Sequence, residues 1–294
     1  MKILLAEPRG FCAGVTRAVQ SLEQAVEQFG APIYVYHEIV HNTWIVEYFR
    51  RKGVIFVDTV DEVPSGSRLM FSAHGVSPDI RNIAEEQSLK TIDATCPLVE
   101  KVHQSAIDYA QKGYKIILIG HRKHDEVVGV VGEVPGSIWI VENESEIDAL
   151  PFSKKDKLAY LTQTTLSTTE TFQRIELLKK RFPQIVGPPQ SNICYATQSR
   201  QDVVRALSPK ADVVIVVGSW TSSNSRRLAE QAEELGVCAF LVDGPDDIPL
   251  GDFTGNETVL ITAGASAPEH LVQGCVDLLK ERFDVEESEA KSKA

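Results

Sequence analysis

The chain has 294 residues, of which 43% are hydrophobic, and it carries a formal net charge of −11 at pH 7. That length and apolar content suffice for more than one compact domain, whereas the acidic balance argues against nucleic acid or an anionic membrane surface as a partner. No apolar run reaches the roughly 18 residues of a membrane-spanning helix, and the N-terminus lacks a signal-peptide core, so we expect a soluble, cytoplasmic protein.

Short β-branched runs alternate with helical patterns along the chain. Residues 213–217 lack polar alternation, as a strand buried on both faces does, and residues 226–235 show helical periodicity. This alternation predicts an α/β fold with mostly parallel sheets. Residues 284–294, rich in Glu, Ser and Lys, are predicted to form a disordered tail.

Three segments repeat one order of features, which predicts three similar lobes at residues 1–95, 96–193 and 194–283. Each segment has a cysteine before a helical pattern, then a strand with a first polar cluster and a later strand with a second. The cysteines are Cys12, Cys96 and Cys194; the first clusters contain His41, then His124 with Glu126, then Ser222, Ser223 and Asn224; the second contain His74, then Thr164, then Ser266.

The three repeated cysteines are predicted metal ligands. They lie too far apart in sequence for CxxC spacing, so the tertiary fold would have to assemble them. Three thiolates without a fourth suit a [4Fe-4S] cluster with one iron left open to substrate. A zinc site with a histidine as fourth ligand stays an alternative. The other two cysteines, Cys238 and Cys275, are interpreted as small buried hydrophobic residues.

The polar clusters predict an anion site. They follow the carboxyl ends of predicted strands, and Pro78, Pro97 and Pro268 indicate helix N-termini nearby. No Walker or strand-linked GxGxxG sequence is present, so a nucleotide is not the favoured anion. A ring of neutral donors suits a diphosphate, and its members are His41, His74, His124, Thr164, Ser222, Asn224 and Ser266. The remaining histidines His103, His121 and His270 are interpreted as solvated.

Residues 37–41 match the HExxH pattern of zinc hydrolases, which requires a helix to place both histidines on one face. The preceding residues 32–36 predict a strand, so His37 would lie at a strand end and the helical spacing would not apply. A zinc hydrolase is therefore the weaker enzymatic alternative.

Glu126 falls in the first turn of a helix predicted over residues 125–133. It is either a surface carboxylate favoured by the helix dipole or a proton donor whose neutral form is favoured beside an anionic substrate and cluster. These residues alone leave both interpretations open. Asp125 is the weaker candidate for a proton donor, because we expect it to cap the helix.

The motifs together resemble the 4-hydroxy-3-methylbut-2-enyl diphosphate reductase family from about residue 1 to residue 283. The quoted sequences are Gly-Phe-Cys-Ala-Gly-Val at 10–15, His-Glu-Ile-Val-His-Asn at 37–42, Ser-Ala-His-Gly at 72–75, Asp-Ala-Thr-Cys-Pro at 93–97, Gln-Thr-Thr at 163–165, Ile-Cys-Tyr-Ala-Thr at 193–197, Ser-Ser-Asn-Ser at 222–225 and Gly-Ala-Ser at 264–266. The resemblance accounts for the HExxH letters as a family signature without zinc.

The resemblance implies a pseudo-threefold trefoil of lobes around a [4Fe-4S] cluster held by Cys12, Cys96 and Cys194. It implies diphosphate binding by His41, His74, Ser222, Ser223, Asn224 and Ser266, with His124 and Thr164 also at the substrate and Glu126 as the proton donor. The reaction would be the last step of the non-mevalonate pathway, with electrons from a ferredoxin or flavodoxin. A redox-sensing or zinc-stabilised binding protein remains the alternative, and it would need the three cysteines but not Glu126 or Thr164.

Overall fold

The computed structural model describes residues 1–291. Strands and helices alternate through this range, and every strand pairing within it is parallel, so the predicted α/β class with mostly parallel sheets is confirmed. The chain forms two compact units. Unit 1 comprises residues 1–16, 41–47 and the chain from residue 195 onward, and unit 2 comprises residues 17–40 and 48–194.

Unit 1 contains one five-stranded sheet of order β10-β9-β11-β1-β12. Its strands are β1 (Lys2–Glu7), β9 (Val213–Val217), β10 (Cys238–Val242), β11 (Thr258–Ala263) and β12 (Glu286–Lys291). Its helices are α8 (Tyr195–Leu207), α9 (Ser223–Glu234) and α10 (Glu269–Arg282), and a unit boundary falls within α1 (Ala13–Phe29) and within α2 (Thr43–Arg51).

The strand β9 is buried on both faces, as its unbroken apolar run predicts. Ile215 and Val217 pack in one apolar cluster with Val272 of α10. Val214 and Val216 pack in a second cluster, which contains residues of α8 and α9. Helices therefore cover both faces of the sheet, and the loops after its strands are left to carry the polar residues.

The predicted disordered tail is wrong for residues 286–291, which form the edge strand β12. This strand pairs in parallel with β1 from Lys2 opposite Glu286 to Glu7 opposite Lys291. Backbone hydrogen bonding does not require apolar side chains, so the polar composition did not reveal the strand. Residues 292–294 of the predicted tail lie outside the described residues. β1 itself joins the sheet of the last segment, although the three-lobe prediction assigned it to the first.

Unit 2 contains two smaller sheets, of order β3-β2-β4-β5 and β7-β6-β8. Their strands are β2 (Tyr34–Tyr36), β3 (Ile55–Val57), β4 (Arg68–Phe71), β5 (Lys90–Asp93), β6 (Lys115–Ile119), β7 (Ile138–Val141) and β8 (Leu158–Thr162). The helices of this unit are α3 (Pro78–Glu86), α4 (Pro97–Gln111), α5 (Asp125–Glu133), α6 (Glu144–Ala149) and α7 (Thr168–Arg181).

Proline marks helix starts largely as predicted. Pro78 and Pro97 occupy the first turns of α3 and α4, where proline leaves no hydrogen bond unmade. Pro268 instead occupies the N-cap position of α10, one residue before the first turn. Within residues 1–291, no helix has the length and apolar character needed to cross a membrane.

Candidate functional site

Each of the three repeated cysteines lies at the start of a helix. Cys96 is the N-cap residue of α4, and Cys12 and Cys194 directly precede α1 and α8. All three are half-buried, and none of the five cysteines, all within the described residues, forms a disulfide. The Val15 N–H group donates to Cys12 Sγ at 3.4 Å. Helix N-termini attract negatively charged ligand atoms, so half-exposed thiols at three such positions fit a thiolate-bound metal group.

In unit 1, hydrogen bonds bring together His41, Ser222 and Ser266. The Ser266 hydroxyl donates to the His41 carbonyl at 2.8 Å and lies 3.5 Å from the Ser222 hydroxyl. Ser222 caps α9 by accepting the Ser225 N–H at 3.2 Å. A Cβ atom on Gly264 would lie 2.0 Å from Ser225 Oγ, so the close approach of this loop to the first turn of α9 requires glycine there.

Asn224, in the first turn of α9, has a buried polar side chain. Only 3% of the residue is exposed, and neither its Oδ1 nor its Nδ2 has a partner among residues 1–291. Leaving buried polar atoms unpaired costs about 1–3 kcal/mol, and such atoms are uncommon in folded proteins. Beside the N–H groups at the start of a helix, this amide suits a polar, anionic ligand.

The Cys12 loop lies against the Ser266 loop within unit 1. The Cys12 N–H donates to the Ala265 carbonyl at 3.1 Å. Behind it, the buried Arg200 donates to the carbonyl of Gly10, whose φ of 65° lies in the left-handed region. Arg200 belongs to no recognisable sequence motif, because a side chain that donates to backbone carbonyls does not require particular residue types as partners.

In unit 2, Glu126 and Thr164 form a buried pair. The backbone N–H and the hydroxyl of Thr164 each donate to one carboxylate oxygen of Glu126, both at 2.8 Å. Glu126 is only 2% exposed. Burial raises the pKa of this carboxyl to about 7, although the two Thr164 hydrogen bonds act to lower it. A carboxyl group with that pKa can give up and regain a proton near neutral pH, as general acid catalysis requires.

Backbone bonds tie both this pair and His74 to cysteines of unit 2. The Cys194 N–H donates to the Thr164 carbonyl at 2.9 Å, and the Cys96 N–H donates to the Ala73 carbonyl at 3.0 Å. Thr164 therefore donates to the Glu126 carboxyl through its N–H and hydroxyl groups, and its carbonyl accepts the Cys194 N–H. Ala73 precedes His74, so the second cysteine is held next to a predicted substrate-binding histidine.

The capping prediction for α5 is wrong. His124, not Asp125, is the N-cap residue, and its Nδ1 accepts the Glu126 N–H at 3.2 Å. Asp125 is the first residue of the helix and its carboxylate bonds to His37. The His124 ring also meets the His74 ring edge-on, with 5.8 Å between their centres. Three successive contacts within unit 2 thus connect the predicted residues His74, His124, Glu126 and Thr164.

The solvated interpretation of His103 is wrong. The residue is 2% exposed, and its Nδ1 lies 2.8 Å from a Glu133 carboxylate oxygen. A Cβ atom on Gly75 would lie 3.1 Å from His103 Nε2, so this ring packs against the loop that carries His74. Its helical spacing from the buried Val99, Val102 and Ala106 was the available signal. The predicted solvated residues His121 and His270 are exposed, and His270 also packs edge-on against Trp44.

The two remaining cysteines differ. Cys275 is fully buried in α10, as predicted, and burial raises the pKa of its thiol to about 12. Cys238 is exposed, which corrects the prediction of a buried residue. It begins the edge strand β10, where only the last two residues, Leu241 and Val242, are buried.

His37 does not lie on a helix. It follows β2 with φ of 56°, and the next helix, α2, begins only at Thr43. The prediction that helical HExxH spacing does not apply here is confirmed. The His37 ring contacts the Asp125 carboxylate.

Comparison with known proteins gives concordant matches. The model of the LytB protein family matches residues 3–280. A 4-hydroxy-3-methylbut-2-enyl diphosphate reductase of Rhodopirellula baltica is 57% identical over 284 residues, covering 97% of this chain and 89% of that protein. The solved E-1-hydroxy-2-methyl-but-2-enyl-4-diphosphate reductase from Plasmodium falciparum has a TM-score of 0.94 at 40% identity, covering 99% of this chain and 93% of that one.

A second solved structure is similar over most of the chain. It is an (E)-4-hydroxy-3-methyl-but-2-enyl diphosphate reductase, described as the terminal enzyme of the non-mevalonate pathway. The TM-score is 0.68 at 30% identity, and the match covers 95% of this chain and 99% of that one. The chain is therefore similar to these reductases in both sequence and fold over nearly its whole length.

Proposed function

The chain belongs to the LytB protein family, and from this premise we propose that it reductively removes the hydroxyl group of (E)-4-hydroxy-3-methylbut-2-enyl diphosphate. The chain is an oxidoreductase, and its reaction is the last step of the non-mevalonate isoprenoid pathway. The products are isopentenyl diphosphate and dimethylallyl diphosphate. The observation that carries the proposal is the buried Glu126 carboxyl, bonded to Thr164 and holding a pKa of about 7.

The metal cofactor of this family is proposed to be a [4Fe-4S] cluster held by Cys12, Cys96 and Cys194, with one iron left open. Three half-exposed thiols at helix starts, without a disulfide among them, support this ligand set. When bound, the cluster supplies electrons and a Lewis-acidic site for the substrate hydroxyl. The deeply buried Cys275 and the strand residue Cys238 are excluded from the proposed ligands.

The diphosphate is proposed to bind through neutral donors and a helix N-terminus. The start of α9 supports this proposal. There, Asn224 is buried without a hydrogen-bond partner among residues 1–291, and the Ser222 hydroxyl is hydrogen-bonded to Ser266. Such donors can bind an anion without a lysine cluster, which suits a chain of net charge −11. The proposed binding residues are His41, His74, Ser222, Ser223, Asn224 and Ser266, with His124 and Thr164 contacting the same substrate.

Glu126 is proposed to donate the proton that lets the hydroxyl leave. Hydroxide is a poor leaving group, so the C–O bond breaks more easily when the departing oxygen receives a proton and leaves as water. The overall reaction takes two electrons and two protons, breaks one C–O bond and forms one C–H bond. Thr164 holds the carboxyl in place through its N–H and hydroxyl, and burial keeps the carboxyl protonated at higher pH than in water.

The electron donor is proposed to be a ferredoxin or flavodoxin, as the family resemblance implies. The acidic net charge and the absence of a membrane-spanning helix within residues 1–291 give no reason to propose nucleic acid or a membrane as partner.

The test of this proposal is a Mössbauer spectrum of anaerobically prepared, iron-enriched protein, with and without the substrate diphosphate. We expect a [4Fe-4S] signal with one distinct iron site that changes on adding the diphosphate. Serine variants of Cys12, Cys96 and Cys194 should each lose the cluster, whereas the matched control Cys238→Ser should keep it. Zinc bound in place of iron, with no turnover, would instead favour the zinc-stabilised binding protein.

A further inference from the structure

His37 and Asp125 form a close pair in unit 2 that the proposed reaction does not use. His37 Nδ1 lies 2.8 Å from one carboxylate oxygen of Asp125, and His37 Nε2 lies 3.3 Å from the backbone carbonyl of Asp58. Both of these partners are acceptors only, so both ring nitrogens must carry hydrogen to satisfy them. That arrangement favours the doubly protonated, positively charged ring.

Backbone and ring contacts hold His37 in this place. Its φ of 56° lies in the left-handed region, which residues with a Cβ atom rarely adopt. The ring stacks on Tyr36 with 4.0 Å between centres, and the His37 N–H donates to the Val57 carbonyl at 2.9 Å. The hydrogen bond to Asp125 raises the pKa of His37, while burial acts to lower it. An unfavourable backbone conformation that is retained often marks a functional position.

The second oxygen of Asp125 faces His74. His74 Nδ1 lies 3.9 Å from this oxygen and 3.2 Å from the Ser72 hydroxyl. The Nδ1 side of the ring is thereby turned towards Ser72 and Asp125, and the Nε2 side points the opposite way. A nearby carboxylate also polarises an imidazole ring, and a polarised ring donates more strongly to an anion.

We propose that His37 and Asp125 act as a positioning pair for His74 in diphosphate binding. Asp125 orients and polarises the His74 ring, and His37 cancels the Asp125 charge that would otherwise repel the anion. The inference rests on the proposed function only in taking His74 as a diphosphate ligand. It gives the HExxH letters a physical role, because His37 serves the site through a carboxylate and not through a metal.

The pair predicts an unequal effect of its two substitutions. Asp125→Asn removes the orienting charge and should raise KM for the substrate diphosphate about fivefold. His37→Asn removes the positive charge that offsets Asp125 and should raise KM about tenfold or more. Asparagine is chosen because it tolerates left-handed backbone better than most residues. In both variants kcat should stay within about twofold, since neither residue touches the reacting atoms.

The double variant His37→Asn/Asp125→Asn provides the decisive comparison. With the Asp125 charge also removed, KM should return to about the Asp125→Asn value, so the double variant binds better than His37→Asn alone. In a His74→Asn background, Asp125→Asn should change KM less than about twofold, because it acts through His74. The matched control Asp148→Asn removes the same charge from a side chain that is 92% exposed in α6, and KM should not change.

Two outcomes would overturn the inference: a double variant as impaired as His37→Asn or worse, or single variants that leave KM unchanged. Calorimetric binding of inorganic diphosphate to the same variants separates this inference from the proposed function. If the variants follow the predicted order in binding but the protein turns over no substrate, the proposed reaction fails and the positioning pair stands. If turnover is normal and neither substitution changes the affinity for inorganic diphosphate, only the inference of a positioning pair is wrong.

Discussion

Two glutamates in this chain accept hydrogen bonds from threonine in the same way, yet their pKa values lie on opposite sides of the ordinary one. Glu126 accepts the N–H and hydroxyl of Thr164, both at 2.8 Å. Glu257 accepts the N–H and hydroxyl of Thr254 at 2.8 and 2.6 Å, and the Gly255 N–H at 2.9 Å. The pKa of Glu126 is raised to about 7, and that of Glu257 is lowered to about 2.

The difference lies in burial. Glu126 is almost completely enclosed, and desolvation of its charged form outweighs two favourable hydrogen bonds. Glu257 keeps contact with water, so the bond from the Thr254 hydroxyl prevails. Bonds from a threonine N–H and hydroxyl thus accompany a carboxyl that can exchange a proton near neutral pH in one place and a carboxylate that stays charged near neutral pH in the other. A threonine partner alone would not have identified the catalytic candidate.

The largest expected effect is on turnover. Glu126→Gln should lower kcat at least about 100-fold, because it removes the proposed proton donor and keeps the shape of the side chain. Steady-state kinetics under anaerobic conditions measures this, with iron content and diphosphate binding recorded to show that both persist. The matched control Glu257→Gln should turn over normally. Near-normal turnover of Glu126→Gln would remove this residue from the mechanism.

The next effect is on the pH dependence of turnover. Thr164→Val keeps the side-chain shape but removes the hydroxyl that lowers the Glu126 pKa, so that pKa should rise further. A proton donor loses activity above its pKa, and the alkaline limb of the pH–rate profile should therefore move to higher pH. The kcat at the optimum should also fall about tenfold, because the carboxyl is held by one bond fewer. A limb that moves to lower pH would contradict this account.

A smaller effect concerns the contribution of Glu126 to folding stability and the direction in which it changes with pH. The Glu126 carboxyl binds a proton more tightly in the folded state than in the unfolded chain. The protonated carboxyl therefore stabilises the fold fully below pH 4.5, the ordinary pKa, and this contribution is lost as the pH rises to about 7. Glu126→Gln should remove the dependence and leave the variant at least as stable as the parent at pH 8. Urea unfolding across this range measures it, and a variant that is less stable at pH 8 would show that the carboxylate is stabilising.

The smallest effect concerns Glu257, whose contribution to folding stability changes with pH in the opposite direction. Its contribution is fully present above the ordinary pKa of 4.5 and is lost as pH falls towards about 2. Glu257→Gln should lower the midpoint of thermal unfolding by a few degrees at pH 6, and the two proteins should converge in acid. A constant difference at every pH would mean that the loop, and not the charge, is responsible.

The sequence was most informative where periodicity or repetition carried the signal. The unbroken run of residues 213–217 coincides with β9, and helices begin directly at or after Cys12, Cys96 and Cys194. Repetition also pointed to Glu126, whose burial no pattern could reveal. Polar residues after parallel strands could be recognised from the sequence, but the hydrogen bonds that they form could not.

The errors arose where tertiary contacts override composition. The polar β12 forms because β1 offers backbone partners, and Cys238 is exposed because its strand lies at a sheet edge. His103 is buried through its bond to Glu133, which lies 30 residues further along the chain. Asp125 bonds to a histidine 88 residues away, and no local capping rule contains that contact. The three-lobe boundaries and the residue roles stay predictions.

The most direct test of the central claim is an infrared titration of Glu126 in the cluster-loaded protein. The spectrum of the Glu126→Gln variant is subtracted from that of the parent at each pH, which isolates the carbonyl stretch of the protonated carboxyl. This band should persist through pH 5 and fall to half its intensity at a pH of about 7. A band already lost around the ordinary pKa of 4.5 would contradict the assignment of Glu126 as a burial-tuned proton donor.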